Sequence, residues 1–215
     1  MTANQVIKHF VPIMAEHGFQ RKRNNFFRES EDMIFGVSFE NPGLMYCQFY
    51  IIPLWIPTEN IYYSYGNRLN NFAKCPPLCP ESSDEQISQW VINTITLLEN
   101  SIFPFFDTVS TPEKLLDFLQ STHKNISKFL CCPQNQIDRL KIYLVLFLGK
   151  FEALPIEINR TIKNTLAMDC YTEAVKANFL AELQNLNELQ SSHKSEDMKL
   201  HFDKIISENR HILRL

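Results

Sequence analysis

The order of apolar and polar positions divides the chain into a short helix, a strand region and a long helical region. Between about residues 4 and 17, apolar residues recur at helical spacing; they are Val6, Ile7, Phe10, Val11 and Met14. Pro12 lies inside this pattern, and because proline removes a backbone donor, we expect a kink or a delayed start. Gly18 readily takes the left-handed conformation that often follows a last turn, so we expect the helix to end there.

The period then changes to two, which is typical of β-strands. A short strand opens near residue 26, and residues 33–40 alternate as in a half-buried strand. After the turn signal Asn41-Pro42-Gly43, residues 44–52 are apolar at almost every position, as in a strand covered on both faces. A last short strand is predicted over residues 61–65. Four strands joined by short turns predict an antiparallel meander.

Helical spacing returns after the meander. Ser83 followed by Gln86 fits a capping box, and the amphipathic helix after it is expected to cover one face of the sheet. This helix is expected to end near Pro104, and Thr111-Pro112 marks the start of another. Three phenylalanines flank the break: Phe103, Phe105 and Phe106. We interpret them as the packing of an elbow between helices, not as a site.

From about residue 121 the pattern is helical to the end, with breaks near residues 131–133, Gly149, Pro155 and 191–195. Apolar stripes on the last two segments predict a helical hairpin. They comprise Leu180, Leu183, Leu186 and Leu189, facing Met198, Phe202, Ile205 and Ile206. We therefore predict an α+β fold. An N-terminal helix and a four-stranded antiparallel meander backed by helices occupy residues 1–120, and an all-helical region over 121–215 is expected to pack on them.

Composition indicates an ordinary globular chain. Its 215 residues are 45% hydrophobic and 21% charged, which is enough for a sizeable core without staples. The longest apolar run, residues 142–148, is far shorter than the roughly 20 residues of a membrane-spanning helix. The first residues lack the basic-then-apolar order of a signal peptide. We expect a cytoplasmic protein without a membrane partner, whose six cysteines are mostly free thiols.

Charge is unevenly distributed along the chain. Residues 1–30 sum to +3, residues 31–110 to −7 from two bases and nine acids, and residues 111–215 to +1. The acidic middle also carries 14 of the 26 aromatic residues. Such a segment repels phosphate backbones but offers flat apolar anchors to a protein. We therefore expect no nucleic-acid partner and consider a basic protein the more suitable one.

Motifs that carry chemistry are scarce. The sequence contains no GxGxxG, GxxxxGK[ST] or GxSxG, and no two histidines stand three or four residues apart. The CPPLC stretch from Cys75 to Cys79 could ligate zinc or exchange a disulfide, but a zinc site needs two more ligands. The competing interpretation is a proline-rich loop with incidental cysteines. We predict no catalytic residue, no cofactor and no metal site.

One group of side chains stands out in the strand region. If Met45, Cys47, Phe49 and Ile51 face the core, the alternate residues point to the opposite side of the sheet. Those residues are Tyr46, Gln48 and Tyr50, joined by Tyr62 and Ser64 of the next predicted strand. Tyrosines among polar groups are typical of recognition faces. Alternatively, the C-terminal helices cover this face and make it a second core layer.

The order of motifs in the first 120 residues resembles the bacterial family called domain of unknown function 4304. The matching positions begin with Gly18, Phe19, Lys22, Phe27 and Arg28, continue with Arg68 and Leu69, and end with Pro104, Phe106, Asp107, Leu115 and Leu116. The resemblance implies the α+β fold and a bacterial source. It implies no particular activity.

Two functional hypotheses follow from these observations. The first is a non-catalytic protein-binding module, of an immunity or regulatory type, whose acidic, tyrosine-rich sheet face engages a basic protein. The second is an enzyme or small-ligand-binding protein with a pocket between the meander and the C-terminal helices. In that case Arg68 would contact an anion, and Gln48 or Tyr62 would orient the ligand.

Overall fold

The computed structural model describes residues 3–40, 43–58, 65–73, 75–168, 171–192 and 195–213. The chain divides into two compact units, each built from two segments. Unit 1 comprises Met1–Pro53 and Tyr62–Cys131, and unit 2 comprises Leu54–Ile61 and Cys132–Leu215. Unit 1 contains the antiparallel sheet, whereas the described elements of unit 2 are helical. The predicted α+β class is confirmed.

The N-terminal helix is interrupted at His9 and Phe10, just before Pro12. Helix α1 spans Ala3–Lys8 and helix α2 spans Val11–Glu16, with the proline in the first turn of α2. A proline at that position costs no hydrogen bond, because first-turn amides have no partner within the helix. Gly18 follows with φ of +77°, the left-handed conformation expected after a helix end.

The sheet has five strands, so the prediction of four was wrong. In chain order, and in spatial order, the strands are β1 Gln20–Lys22, β2 Asn25–Glu29, β3 Met33–Glu40, β4 Tyr46–Pro53 and β5 Tyr65–Arg68. Strand β1 was missed because all three of its residues are exposed and show no apolar alternation. It pairs with β2 through a two-residue turn in which Arg23 has φ of 58°. Such left-handed turns match the natural twist of a hairpin.

Strand β5 also differs from its predicted position. It pairs with β4 over residues 65–68, whereas the predicted strand ended at Tyr65. Of the predicted strand over 61–65, residues 61–64 lie outside the described residues. Glycine is required at position 66 because Tyr50 of β4 lies very close. A Cβ on Gly66 would stand 2.8 Å from the Tyr50 Cβ.

Helices cover the sheet within unit 1, but the main helix does not end at Pro104. The helices are α3 Leu69–Phe72, α4 Asp84–Leu97, α5 Phe103–Thr108, α6 Pro112–Leu119 and α7 His123–Phe129. A π-helical turn over Leu98–Ile102 joins α4 directly to α5, and the Phe103 amide donates to the Leu98 carbonyl. A wide turn of this kind admits Pro104 into the first turn of α5 without breaking the helical path. The predicted end at Pro104 was therefore wrong.

The three phenylalanines around Pro104 lie in the core of unit 1. Phe106 is fully buried, and its ring centroid lies 5.1 Å from that of Phe35 on β3. Farther along the same helical run, Trp90 contacts Phe10 of the N-terminal helices and Phe39 of β3. The role of the three phenylalanines as packing residues is confirmed, but the predicted elbow at Pro104 is absent, because the helical path continues through it. The backing of the sheet by the helix that begins after Ser83 is also confirmed, and its capping box is present.

Among its described residues, unit 2 is built from four α-helices, a 3-10 helix over Phe151–Ala153 and the short segment after β4. The helices are α8 Gln134–Phe147, α9 Leu154–Leu166, α10 Glu173–Ser192 and α11 Ser195–Leu213. Pro155 stands in the first turn of α9. The Trp55 ring stacks on Phe147 at 4.9 Å, and Phe147 also contacts Phe202 of α11. Trp55, which follows β4, therefore packs on a helix residue 92 positions farther along the chain.

Within the described ranges, no helix combines the length and the apolar character that a membrane crossing requires.

Candidate binding surface

The predicted site residues of strands β4 and β5 lie on neighbouring positions of the sheet. Tyr46 pairs with Glu40 of β3, and Gln48 pairs with Arg68 of β5. Two other predicted site residues, Tyr62 and Ser64, lie outside the described residues. The strand register therefore brings Tyr46, Gln48 and Arg68 close together. The alternation along β4 grouped only the first two of them.

Tyr50 is a packing residue. Its side chain is 4% exposed, and a Cβ on Gly36 of β3 would stand 2.0 Å from the Tyr50 Cζ. The phenol ring thus occupies the space left free by a glycine on the neighbouring strand, which is a common way to stabilise glycine within sheets. Tyr50 offers little surface to a partner.

Gln48 is buried as well, and it is incompletely hydrogen-bonded. It is 8% exposed, and it pairs across the strands with Ser38, which is also buried. In the described part of the chain, the Gln48 Nε2 and the Ser38 Oγ have no hydrogen-bond partner. Unsatisfied buried polar atoms each cost about 1–3 kcal/mol, so this pair destabilises the sheet unless another molecule satisfies it.

Tyr46 and Arg68 form the exposed end of this row. The Arg68 guanidinium carbon lies 4.8 Å from the centroid of the Tyr46 ring, within cation–π distance. The Arg68 Nη2 also lies 3.0 Å from the Glu40 Oε2, and the Arg68 side chain is 45% exposed. Glu40 already balances the charge of Arg68. We therefore expect Arg68 to contact a partner by stacking its planar guanidinium and not by binding an anion.

A shallow cleft borders Tyr46. Its rim is formed by Tyr46, Asn70, Pro76 and Pro77, and its deeper wall by Cys47, Leu69, Cys75 and Trp90. The Trp90 Nε1 donates to the Pro76 carbonyl at 2.9 Å and so fixes the proline loop. The cleft has no room for even one water-sized molecule, whereas typical small-molecule pockets measure roughly 300–1,000 Å³. It is therefore a surface crease and not a small-molecule pocket.

We define the Tyr46 patch as the surface formed by Glu40, Tyr46, Arg68, Asn70, Pro76 and Pro77. Glu40 and the proline loop were not among the predicted site residues. Glu40 is 28 residues from Arg68 in sequence, and only the strand register brings the two together. The two adjacent prolines, Pro76 and Pro77, are visible in the sequence, but their closeness to Tyr46 is not.

The CPPLC stretch serves a structural role in the described chain. The Met45 and Leu78 backbones exchange two hydrogen bonds of 2.9 Å, which attach the stretch to the sheet ahead of β4. Cys75 is buried and Cys79 is exposed, and both are free thiols. Burial raises the pKa of Cys75, an effect that a hydrogen bond with Thr94 partly offsets. A raised pKa disfavours the reactive thiolate, so this buried thiol is chemically inert.

The Cys47 thiol is also inert. Burial raises its pKa well above the ordinary value, and the neighbouring Cys75 raises it further. Over the described residues, no three His, Cys, Asp or Glu side chains are grouped so that they could hold a metal ion.

Several residues that carry the family resemblance meet at another place in unit 1. The Arg28 Nη2 lies 2.9 Å from the Asp107 Oδ1, across 79 positions of sequence. The Arg28 guanidinium also lies over the Phe19 ring, and the Arg28 Cδ would stand 3.7 Å from a Cβ on Gly18. This cluster joins β2 to α5, and we interpret it as structural.

The chain matches no family model, and searches of the curated proteins and of the solved structures find no matching protein.

Proposed function

We propose that this protein is a non-catalytic protein-binding module whose Tyr46 patch contacts a basic partner. The observation that carries the proposal is the Arg68 guanidinium stacked on the partly exposed Tyr46 ring and tethered by Glu40. Tyrosine and arginine are among the residues most enriched in the energetic centres of protein interfaces. An immunity-type or regulatory role in bacteria belongs to the same proposal, as does the resemblance to the domain of unknown function 4304.

Pre-ordering of Arg68 supports a binding role. A free arginine side chain loses about 0.5–1.5 kcal/mol of conformational freedom when an interface immobilises it. Arg68 is already held by Glu40 and by the Tyr46 ring, so less of this cost remains to be met on binding. The ring and the two prolines beside it supply rigid apolar area.

The charge of the surrounding segment favours a basic partner. Residues 31–110 carry nine acids and two bases, and between residues 75 and 113 there is no lysine or arginine. A field of one sign accelerates encounter with partners of the opposite sign and discourages others. The association is therefore expected to weaken as salt concentration rises.

The proposal is tested by isolating a partner on immobilised full-length chain and measuring the binary affinity by calorimetry. We expect Tyr46→Ala and Arg68→Ala each to weaken binding by about 30-fold, the effect of an interface residue worth about 2 kcal/mol. Affinity should also fall between about 50 and 200 mM salt, since screening shortens electrostatic range.

Ile92→Ala provides the matched control, because Ile92 is exposed on α4 of the same unit and lies outside the Tyr46 patch. It should leave affinity unchanged. A partner that binds the Tyr46 and Arg68 variants as tightly as the original chain would exclude the patch as the contact surface. An acidic partner, or one insensitive to salt, would contradict the charge argument.

The unsatisfied pair on β3 and β4 favours a second candidate function, the binding of a small polar ligand. Such a ligand would bond to the Ser38 Oγ and the Gln48 Nε2, which have no partner in the described chain. Native mass spectrometry of the purified full chain tests this candidate. A retained small molecule that disappears in the Ser38→Ala, Gln48→Met double variant supports it. No retained mass, with a double variant at least as stable as the original chain, eliminates it.

A further inference from the structure

Helices α8 and α9 enclose a group of charged side chains in unit 2. Asp138 is completely buried and accepts hydrogen bonds from the Gln134 Nε2 at 2.9 Å and the Asn164 Nδ2 at 2.5 Å. The Arg160 Nη2 lies 3.4 Å from the Asp138 Oδ1 and forms an ion pair with Glu157 as well. Arg160 therefore engages both carboxylates of the group.

Lys141 lies close to this group but shares in none of its bonds. It is three positions after Asp138 on α8, so the two side chains share a helix face, and it is half-buried. Among the described residues, its amine makes no hydrogen bond and no ion pair. The usual arrangement for a partly buried lysine is a carboxylate partner, and here Arg160 occupies both candidates.

The charges that act on Lys141 come from both helices. Burial is the largest influence and lowers its pKa, and the positive charge of Arg160 lowers it further. The Glu157 and Asp138 carboxylates raise it by smaller amounts. Burial and like charge disfavour the ammonium form, which increases the share of neutral amine at a given pH. Neutral lysine amines are the nucleophilic form, and this is how proteins activate them.

We propose that Lys141 is a covalent modification site that reacts with small aldehydes ahead of the other lysines of the chain. In the reaction the amine lone pair forms a bond to the carbonyl carbon, and loss of the carbonyl oxygen as water leaves an imine. Two amine protons and the carbonyl oxygen make that water, so no oxidant or reductant is consumed. The proposal concerns unit 2 and does not depend on the Tyr46 patch.

Competitive labelling of the full chain tests the proposal. Propanal at limiting concentration, with cyanoborohydride to reduce each imine to a stable secondary amine, is applied between about pH 6 and pH 10, where lysine amines change charge. Peptide mass spectrometry then follows each of the 13 lysines. Lys150 and Lys199 serve as internal references because both are exposed.

At pH 7 we expect Lys141 to label more than about threefold faster than either reference, since each unit of lowered pKa raises the neutral fraction about tenfold. Its labelling rate should also stop rising at a lower pH than theirs. A rate at pH 7 no higher than that of Lys150 and Lys199 overturns the proposal, whatever the shape of the profile.

Two substitutions at Arg160 separate activation from mere accessibility. Arg160→Gln removes the like charge and releases both carboxylates, so the Lys141 rate should fall toward that of the references, while burial preserves part of the advantage. Arg160→Lys keeps the charge and should preserve most of the advantage. An unchanged rate in Arg160→Gln contradicts the proposed role of the cluster. If that variant fails to fold, the comparison with Lys150 and Lys199 in the original chain and in Arg160→Lys decides the matter.

Discussion

Asn209 of α11 holds the short segment after β4 in the core of unit 2, and its removal gives the sharpest test of this structure. Its Nδ2 donates to the carbonyls of Leu54 and Ile56, each at 2.7 Å. The Thr58 amide donates to the Asn209 Oδ1 at 3.2 Å. The side chain is 2% exposed, so water does not replace these partners when the amide is deleted.

The magnitude follows from counting these bonds. Each contributes about 1 kcal/mol net, and a buried backbone group left unsatisfied adds to the loss, so Asn209→Ala should lower the free energy of unfolding by about 3–4 kcal/mol. Asn209→Asp should cost at least as much, because an acceptor would then face two carbonyl oxygens. Ser207→Ala, at an exposed position two residues earlier on the same helix, corrects for helix propensity and should change stability by less than about 0.5 kcal/mol.

Urea unfolding followed by tryptophan fluorescence measures the effect. The two tryptophans lie in different units, so a Trp90→Phe background leaves Trp55, stacked on Phe147, as the reporter for unit 2. An Asn209→Ala variant that loses less than about 1 kcal/mol, the value of a single net hydrogen bond, would show that the segment is not anchored as described.

Three further predictions follow from other contacts. Gly36→Ala should cost at least about 1–3 kcal/mol through collision with Tyr50, and a Tyr50→Ala background should remove most of that penalty, measured by double-mutant unfolding. The thiols of Cys79 and Cys131 should react with a chromogenic disulfide at pH 7, while Cys47 and Cys75 react only on unfolding; early loss of all thiols would contradict their burial. Burial, followed by the Glu182 charge, raises the pKa of Tyr143, whose hydroxyl donates to Glu182 at 2.7 Å. The folded state therefore retains this proton more strongly than the unfolded state. The contribution of Tyr143 to the free energy of unfolding is complete below the ordinary tyrosine pKa of about 10 and falls as pH rises above it. Tyr143→Phe should flatten that alkaline decline in urea midpoints, and an equally steep decline would refute the assignment.

The candidate surface was partly predictable. Alternation along β4 grouped Tyr46 with Gln48, but the closeness of Arg68 to Tyr46 became visible only in the strand register and the ring contact. The sequence pattern could not show that Tyr50 would fill the space over Gly36, because that depends on which residues the register places opposite each other. Nor could it show that Glu40 would neutralise Arg68, since that ion pair joins separate strands.

Errors in the predicted fold have the same origin. Strand β1 has no apolar face, so its only signals are backbone pairing with β2 and the left-handed Arg23. Pro104 ends a regular helix on steric grounds, but a π turn before it relieves the clash. Residue periodicity predicts neither outcome. Each depends on which of several possible backbone hydrogen bonds forms, and the packing of the core decides that.

By itself, the sequence determined the kinds of most elements, but not every buried face: residues 33–40 were predicted as a half-buried strand, and residues 33–39 are all buried. Period two over residues 33–40, the capping box at Ser83 and the helical stripes of the C-terminal region suffice for the kinds of element, since each is a local steric or solvation preference. The tertiary structure alone decided which distant groups meet. Leu54 and Asn209 are 155 positions apart, and Arg160 takes the carboxylates that Lys141 would otherwise use. Such pairings depend on long-range register and competition for partners, which local preferences do not specify.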